Sequence, residues 1–491
     1  MIRRNNRLFA DTLANGVLLS GGILALWALW HQFYPSGWSG PQPLMSPTAW
    51  GKSAVMSASL AAFFIASLRL RPALRRAVAG VCCSVLAVLY AIEIVLANTA
   101  LGPGANVPFW GIDRASPQMK KEIAILAAKF GASVDARERI EVLDDSRQRG
   151  VDMVPAVMLS DVMSDVGSAL SIESGKVDEL LPLGAVSSIY TLLCNESGQF
   201  VGYTSDERGF RNPSGIWSSA HADIAVVGQS FAQGYCVPDG QGFVDLLRTR
   251  RQVVLNLGTS GQGFLLQLAA IKEYLPRYAP TTVLWIYTEG IDLADLHNEL
   301  AHPMSRRYLD PAFNQNLINR QPEIDHALRR VLAGIETRER QPHPTAPPSS
   351  TIEQVLPIVK LWSLRTKVEL AFGLNREQPE LQALLEPTPD SYFSGVLRQA
   401  RTVTSSWGGT LYFVYLPGWD RYRNRATAAE RERAKVLSLV NALGIPVIDV
   451  HPSFQAERDP LSLFPFRKFG HYNERGNQVV AEAIVKSIFG T

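Results

Sequence analysis

Asp223-Ile-Ala-Val-Val-Gly-Gln-Ser-Phe-Ala-Gln-Gly-Tyr-Cys236 is the stretch on which the reading of this chain turns. A short apolar run, Ile224–Val227, ends at Gly228, and Ser230 follows at the head of a helix-compatible segment. That order predicts strand, tight turn and helix, which lifts a serine hydroxyl to the C-terminal edge of a parallel sheet. Backbone N–H groups at the start of the helix can hold an oxyanion there, and the helix dipole favours the negative charge. A Gly-x-Ser turn alone can equally well do no more than cap a helix, so the rest of the chain has to supply a base.

Downstream the pattern alternates. Strands are predicted at Ile224–Val227, Val253–Leu257, Val283–Tyr287, Leu411–Leu416 and Pro446–Val450, each rich in Val, Ile, Leu or aromatic residues. Such continuous apolar runs suit strands buried on both faces. Helices are predicted at Phe264–Tyr278, Tyr392–Ser406, Ala426–Ala442 and Glu474–Phe489. Alternating strands and helices imply a parallel sheet covered on both sides. An interruption at about 298–389 contains Gln341-Pro-His-Pro-Thr-Ala-Pro-Pro-Ser-Ser350, a linker-like run, and an insertion of this size commonly shapes a ligand cleft.

Among eight histidines, His471 is the best base for Ser230. It lies in Lys468-Phe-Gly-His-Tyr-Asn-Glu-Arg-Gly476, just before the last predicted helix, in a loop that emerges on the same sheet edge. Helix capping is the bland alternative for His471, and His451, after the fifth strand, is the rival base.

Together these blocks resemble the SGNH/GDSL hydrolase family over about Asp206 to the C-terminus. Gly228-Gln-Ser230 is similar to the first block, with Ser230 as nucleophile. Asn256-Leu-Gly-Thr-Ser-Gly261 is similar to the second, with the Gly261 N–H as an oxyanion donor. Tyr287-Thr-Glu-Gly-Ile-Asp-Leu293 stands where the Gly-x-Asn-Asp block falls, and Gly470–Gly476 is similar to the last block, with His471 as base. The resemblance implies an α/β, flavodoxin-like three-layer sandwich with a five-stranded parallel sheet. Three positions depart from it. Gln229 replaces the usual acidic residue before the nucleophile, and Ile291 stands where the oxyanion asparagine belongs. Phe469 and Lys468 occupy the place of the acid that precedes the histidine, which leaves Asp449, Asp459 or a backbone carbonyl to orient His471.

The first hundred residues are of another character. Apolar runs at about Leu8–Phe33, Ala54–Leu68 and Ala77–Ala97 read as three transmembrane helices, with Glu93 facing a neighbouring helix or an interface. Arg3, Arg4 and Arg7 precede the first run, and Arg69, Arg71, Arg75 and Arg76 separate the second from the third. The positive-inside rule then puts the N-terminus in the cytoplasm and the chain after Ala100 in the periplasm or outside the cell. The chain divides into a membrane anchor at 1–100, an accessory region at 101–220 and a hydrolase-like domain at 221–491. In an extracytoplasmic setting Cys194 and Cys236 are candidates to pair, whereas Cys82 and Cys83 lie in an apolar run.

The expected function is a membrane-anchored serine esterase or O-acyltransferase. The expected partners are the lipid bilayer and an acylated glycan or other ester substrate, in the setting of envelope polysaccharide machinery. The alternative is an impaired hydrolase-like domain that binds glycan or scaffolds an envelope assembly. Trp110, Trp217 and Trp419 are candidate sugar platforms, with core packing as the plainer role. The net charge of +3 gives no argument for nucleic acid, and no residue spacing calls for a cofactor or metal.

Overall fold

A computed structural model describes residues 2–33, 47–97, 111–113, 115, 117–163, 180–251, 253–341, 364, 379–385 and 391–490. Trp110 and most of the proline-rich run lie outside them. The chain forms two compact units: Met1–Ala105 with Pro348–Glu380, and Asn106–Pro347 with Leu381–Thr491.

The first unit includes the helices α1 (Ile2–Phe33), α2 (Pro47–Ser67) and α3 (Pro72–Ala97). Among the described residues two stretches are long and apolar enough to cross a membrane, Leu8–Leu26 and Pro72–Val95. Of the three spans expected, these two are met among the described residues, and α2 contributes a shorter apolar stretch there, Ser57–Ser67.

The second unit is built on a five-stranded parallel sheet. Its strands are β4 (Ile224–Val227), β5 (Val254–Asn256), β6 (Thr282–Thr288), β7 (Thr410–Leu416) and β8 (Val447–Asp449), in the order β5-β4-β6-β7-β8. This is the flavodoxin-like order, and its direction reverses between β4 and β6. Side chains alternate along each strand, so each strand feeds two cores. Ala225, Val227, Val283, Trp285, Phe413 and Tyr415 face one, against the helices Phe264–Tyr274, Tyr392–Ser405 and Ala426–Ala442. Ile224, Val226, Leu284, Ile286, Val414 and Ile448 face the other, with the helices Phe243–Arg248 and Glu474–Phe489. The result is a three-layer sandwich.

The residues read as an accessory region share this compact unit. They form a second, three-stranded sheet, with β1 (Met153–Pro155) parallel to β2 (Tyr190–Cys194) and β2 antiparallel to β3 (Val201–Thr204). Of the insertion, the helix Gln321–Arg340 buries Ile324, Leu328, Val331, Leu332 and Ile335 in the core. It also binds the accessory helix Arg139–Gln148, with Glu336 on Arg147 at 2.7 Å.

Candidate active site

Ser230 owes its position to the end of β4. All four β4 residues are buried, which fixes the strand, and Gly228 then turns the chain where a side chain has no room. A Cβ on Gly228 would lie 2.8 Å from the Cβ atoms of both Ala232 and Ile286. Ser230 starts the short helix Ser230–Gln233, so its own N–H is among the first of the helix and has no intrahelical acceptor.

The loop after β5 is laced to that turn. Thr259 N donates to the Gly228 carbonyl at 3.2 Å, and Asn256 Nδ2 donates to the Ala232 carbonyl at 2.8 Å. The Gln233 amide oxygen accepts from both Ser260 N and Ser260 Oγ, at 3.1 and 2.6 Å. Gly261 follows at φ +76, backed by the accessory segment through Leu159 N, which donates to the Ser260 carbonyl at 2.9 Å.

His471 reaches the same point from the loop before the last helix. Its Nε2 lies 2.9 Å from Ser230 Oγ, and both side chains are buried. The imidazole is held between two rings, with Phe231 and Tyr235 centroids 4.9 and 4.7 Å away. Its Nδ1 lies 2.9 and 3.0 Å from the two carboxylate oxygens of Glu196. A carboxylate only accepts, so Nδ1 carries the proton and Nε2 is left to accept from the serine hydroxyl. Glu196 is fully buried, two residues beyond β2, and it belongs to the accessory region.

The acids expected to orient His471 are elsewhere. Asp449 is bound to Arg433 and also accepts from His451 N at 3.1 Å, so the expectation that it serves His471 is corrected. Asp459 pairs with Arg467 at 2.6 Å. The rival base, His451, is engaged as well: its Nδ1 lies 2.9 Å from Tyr422 Oη and its Nε2 3.4 Å from Arg421 Nη1. Burial and the neighbouring guanidiniums of Arg421 and Arg433 hold its pKa below the usual histidine value.

Ile291 stands at the end of β6, opposite Ser230 across the topological switch point, and packs its side chain against the second core. Its neighbour Asp292 is turned inward, where Thr288 N and Gln267 Nε2 donate to it, and burial pushes its carboxyl well above the usual range. Before it, Glu289 accepts from Arg421, Tyr415 Oη and Gly418 N, which ties this loop to the end of β7. Trp217 is buried with its Nε1 on Asp206 at 2.6 Å, which makes it a core residue. Trp419 is half-buried and donates to the Arg467 carbonyl at 3.2 Å.

No family model matches the sequence, and none of the curated proteins does. Solved structures give remote likenesses. One is a two-domain esterase (CEX) active on acetylated mannans, at 11% identity over 55% of this chain and 49% of that one, with a TM-score of 0.28. Another is a member of the lipolytic protein G-D-S-L family from Veillonella parvula DSM 2008, at 14% identity over 54% of this chain and 97% of that one, TM-score 0.29. A third is the lipase/acylhydrolase from Enterococcus faecalis, at 13% identity over 55% and 96%, TM-score 0.29. Likeness at this level carries no functional argument, and the chain matches only about half the length of the first.

Glu196 was not named from the sequence. The only local signal is its place two residues after Cys194, a cysteine itself marked as a partner for Cys236 beyond the nucleophile. That signal identifies a neighbourhood and not a role, because nothing in the spacing says which side chain of Asn195-Glu196-Ser197 turns inward.

Proposed function

We propose that this protein is a serine esterase or acyltransferase working through a Ser230–His471–Glu196 triad. The single observation that carries the reading is the unbroken chain of contacts from Ser230 Oγ through both imidazole nitrogens to Glu196. Ser230 Oγ attacks the ester carbonyl carbon while His471 Nε2 takes its proton. Glu196 holds the imidazole in the required tautomer and stabilises the imidazolium that forms. The tetrahedral oxyanion sits at the N–H groups of Ser230 and Gly261. Collapse expels the alcohol, protonated by His471, and water or an acceptor hydroxyl then takes the acyl group by the reverse sequence.

Ile291 presents a hydrocarbon where a side-chain amide would give another oxyanion donor. One such donor is commonly worth about 2.7–4 kcal/mol, so turnover is expected to be slow. The same residue favours the second reading, a hydrolase-like domain that binds glycan without turning it over. The complete triad weighs against it, since an unused serine, imidazole and carboxylate have no reason to stay aligned.

The substrate class proposed is an O-acyl ester on a cell-envelope polysaccharide, met on the outer side of the inner membrane. Two apolar helices suited to anchoring the chain and a disulfide in the folded unit support that setting, because such bonds persist in oxidising compartments. The deciding experiment is labelling with a fluorophosphonate, with hydrolysis of a chromogenic acetyl ester measured in parallel. Labelling and turnover are expected in the unmodified protein and are expected to vanish in Ser230→Ala. Turnover that survives Ser230→Ala would end the reading.

A further inference from the structure

The triad is assembled from two sheets that share no strand hydrogen bonds. Ser230 and His471 stand on the edge of the five-stranded sheet, whereas Glu196 is carried by the three-stranded one. The position of the acid relative to the base is therefore set by side chains packed between the sheets. Distances of this kind matter, since a misplacement of 1 Å can cost about a hundredfold in rate.

One covalent link joins the two parts directly. Cys194, the last residue of β2, is bonded to Cys236, with Cα atoms 5.5 Å apart and a sequence separation of 42. The chain has four cysteines, and the other two, Cys82 and Cys83, are free on α3 in the other unit. Both bonded cysteines are buried, packed with Leu193, Tyr203 and Tyr235. Cys194 is two residues before Glu196, and Cys236 follows Tyr235, the ring that covers His471. Tyr235 N donates to the Ser230 carbonyl at 2.9 Å, so the cystine ends on the nucleophile turn itself. Cys236 adopts φ +65, a backbone conformation that a non-glycine residue keeps only when its surroundings enforce it.

Between the cystine and Glu196 the hairpin is held by weaker means. Asn195 Oδ1 accepts from Ile112 N and Asp113 N at 2.8 and 3.0 Å, and its Nδ2 donates to the Asp135 carbonyl at 3.0 Å. These bonds fix the hairpin to other accessory residues and say nothing about its distance from Ser230. Only the cystine does that covalently.

We propose that the Cys194–Cys236 cystine is a positioning element of the triad, which holds Glu196 on His471 and leaves the enzyme fully active only when oxidised. The proposal rests on the esterase reading above. Reduction breaks the S–S bond, delivers two electrons and two protons, and leaves two thiols. A phosphine reductant ends as its oxide, with water supplying the oxygen. The hairpin is then tied to the nucleophile turn by packing and by two hydrogen bonds, Gln233 Nε2 to Tyr203 Oη at 3.2 Å and Tyr235 Oη to the Leu193 carbonyl at 3.5 Å, and Glu196 is held less closely against the imidazole.

The test uses the full-length protein, oxidised, reduced with a water-soluble phosphine, and as Cys194→Ala/Cys236→Ala, each with and without Glu196→Gln. Hydrolysis of a chromogenic acetyl ester and the rate of fluorophosphonate labelling are both followed, and free thiols are counted by alkylation and mass measurement. Loss of the cystine is expected to lower kcat by roughly ten- to a hundredfold with KM within about threefold, and reoxidation should restore the reduced protein. In the Glu196→Gln background the same loss should cost less than about twofold, because the acid it positions is already gone. Undiminished kcat in protein shown to carry free thiols overturns the proposal. So does a full further loss on top of Glu196→Gln, which would mark the cystine as a general support. Reduction of the already folded protein keeps the test informative if the double alanine variant does not fold. Turnover that persists in Ser230→Ala, run alongside, would instead sink the esterase reading on its own.

Discussion

The edge of the five-stranded sheet and the Cys194–Gly198 turn of the accessory hairpin meet at one imidazole, but they are built in opposite ways. At the sheet edge position follows from local rules: strand, glycine, serine, helix, with Gly261 and His471 on neighbouring loops of the same edge. In the hairpin position follows from distant partners: a cystine to Cys236, an asparagine clamp on 112–113 and 135, and a carboxylate reaching His471. The nucleophile and base of such a site come with the fold. Its acid can come from any element that reaches Nδ1, since its task is to accept one hydrogen bond and present one negative charge.

Removing the acid tests this difference most sharply. Glu196→Gln keeps the shape but offers Nδ1 an amide that can donate, which permits the wrong tautomer. A loss in kcat on the order of a hundred- to ten-thousandfold is expected, by the scale known for other triads. Asp449→Asn, which strikes one of the acids that the sequence offered, should leave kcat within about threefold. Stopped assays on the two variants side by side decide the matter, and the reverse ranking would return the role to the sheet.

A smaller effect is expected at the sheet edge. Ile291→Asn returns a donor to the end of β6 and should raise kcat by roughly three- to thirtyfold, short of the full value of such a donor because the surrounding cluster is apolar. An unchanged or lowered rate would mean that the amide cannot reach the oxyanion.

The smallest effect concerns a carboxyl without a partner like His471. Asp295, on the helix Asp292–Ala301, is pushed up to about 6 by burial, and its Oδ2 has no hydrogen-bond partner. Its folded pKa lies above the unfolded value of 3.8, so the folded state binds the proton more tightly. Stability from this group is therefore present at low pH and is lost as pH rises from about 4 through about 6. Asp295→Asn should stabilise the protein by about 1–3 kcal/mol at pH 8 and by little at pH 4, read as a difference in Tm between the two pH values. An equal shift at both would assign the effect to packing.

Much of this molecule was legible along the chain. The five strands were readable because each is an apolar run bounded by turn residues, and the observed β4 begins and ends where the pattern said it would. Ser230 and His471 followed from topology, since successive parallel strands must end on one edge. The apolar N-terminal helices were partly legible: among the described residues two stretches have the length and apolar content to cross a membrane, and α2 has a shorter one. Only the tertiary structure decided which acid meets His471, which acids are drawn away to arginines, and how the two sheets share one site. The reason is physical. Strand and helix patterns are set by neighbours a few residues apart, which a sequence displays, whereas a buried carboxylate takes its role from whichever group it faces, and Glu196 faces an imidazole 275 residues further along.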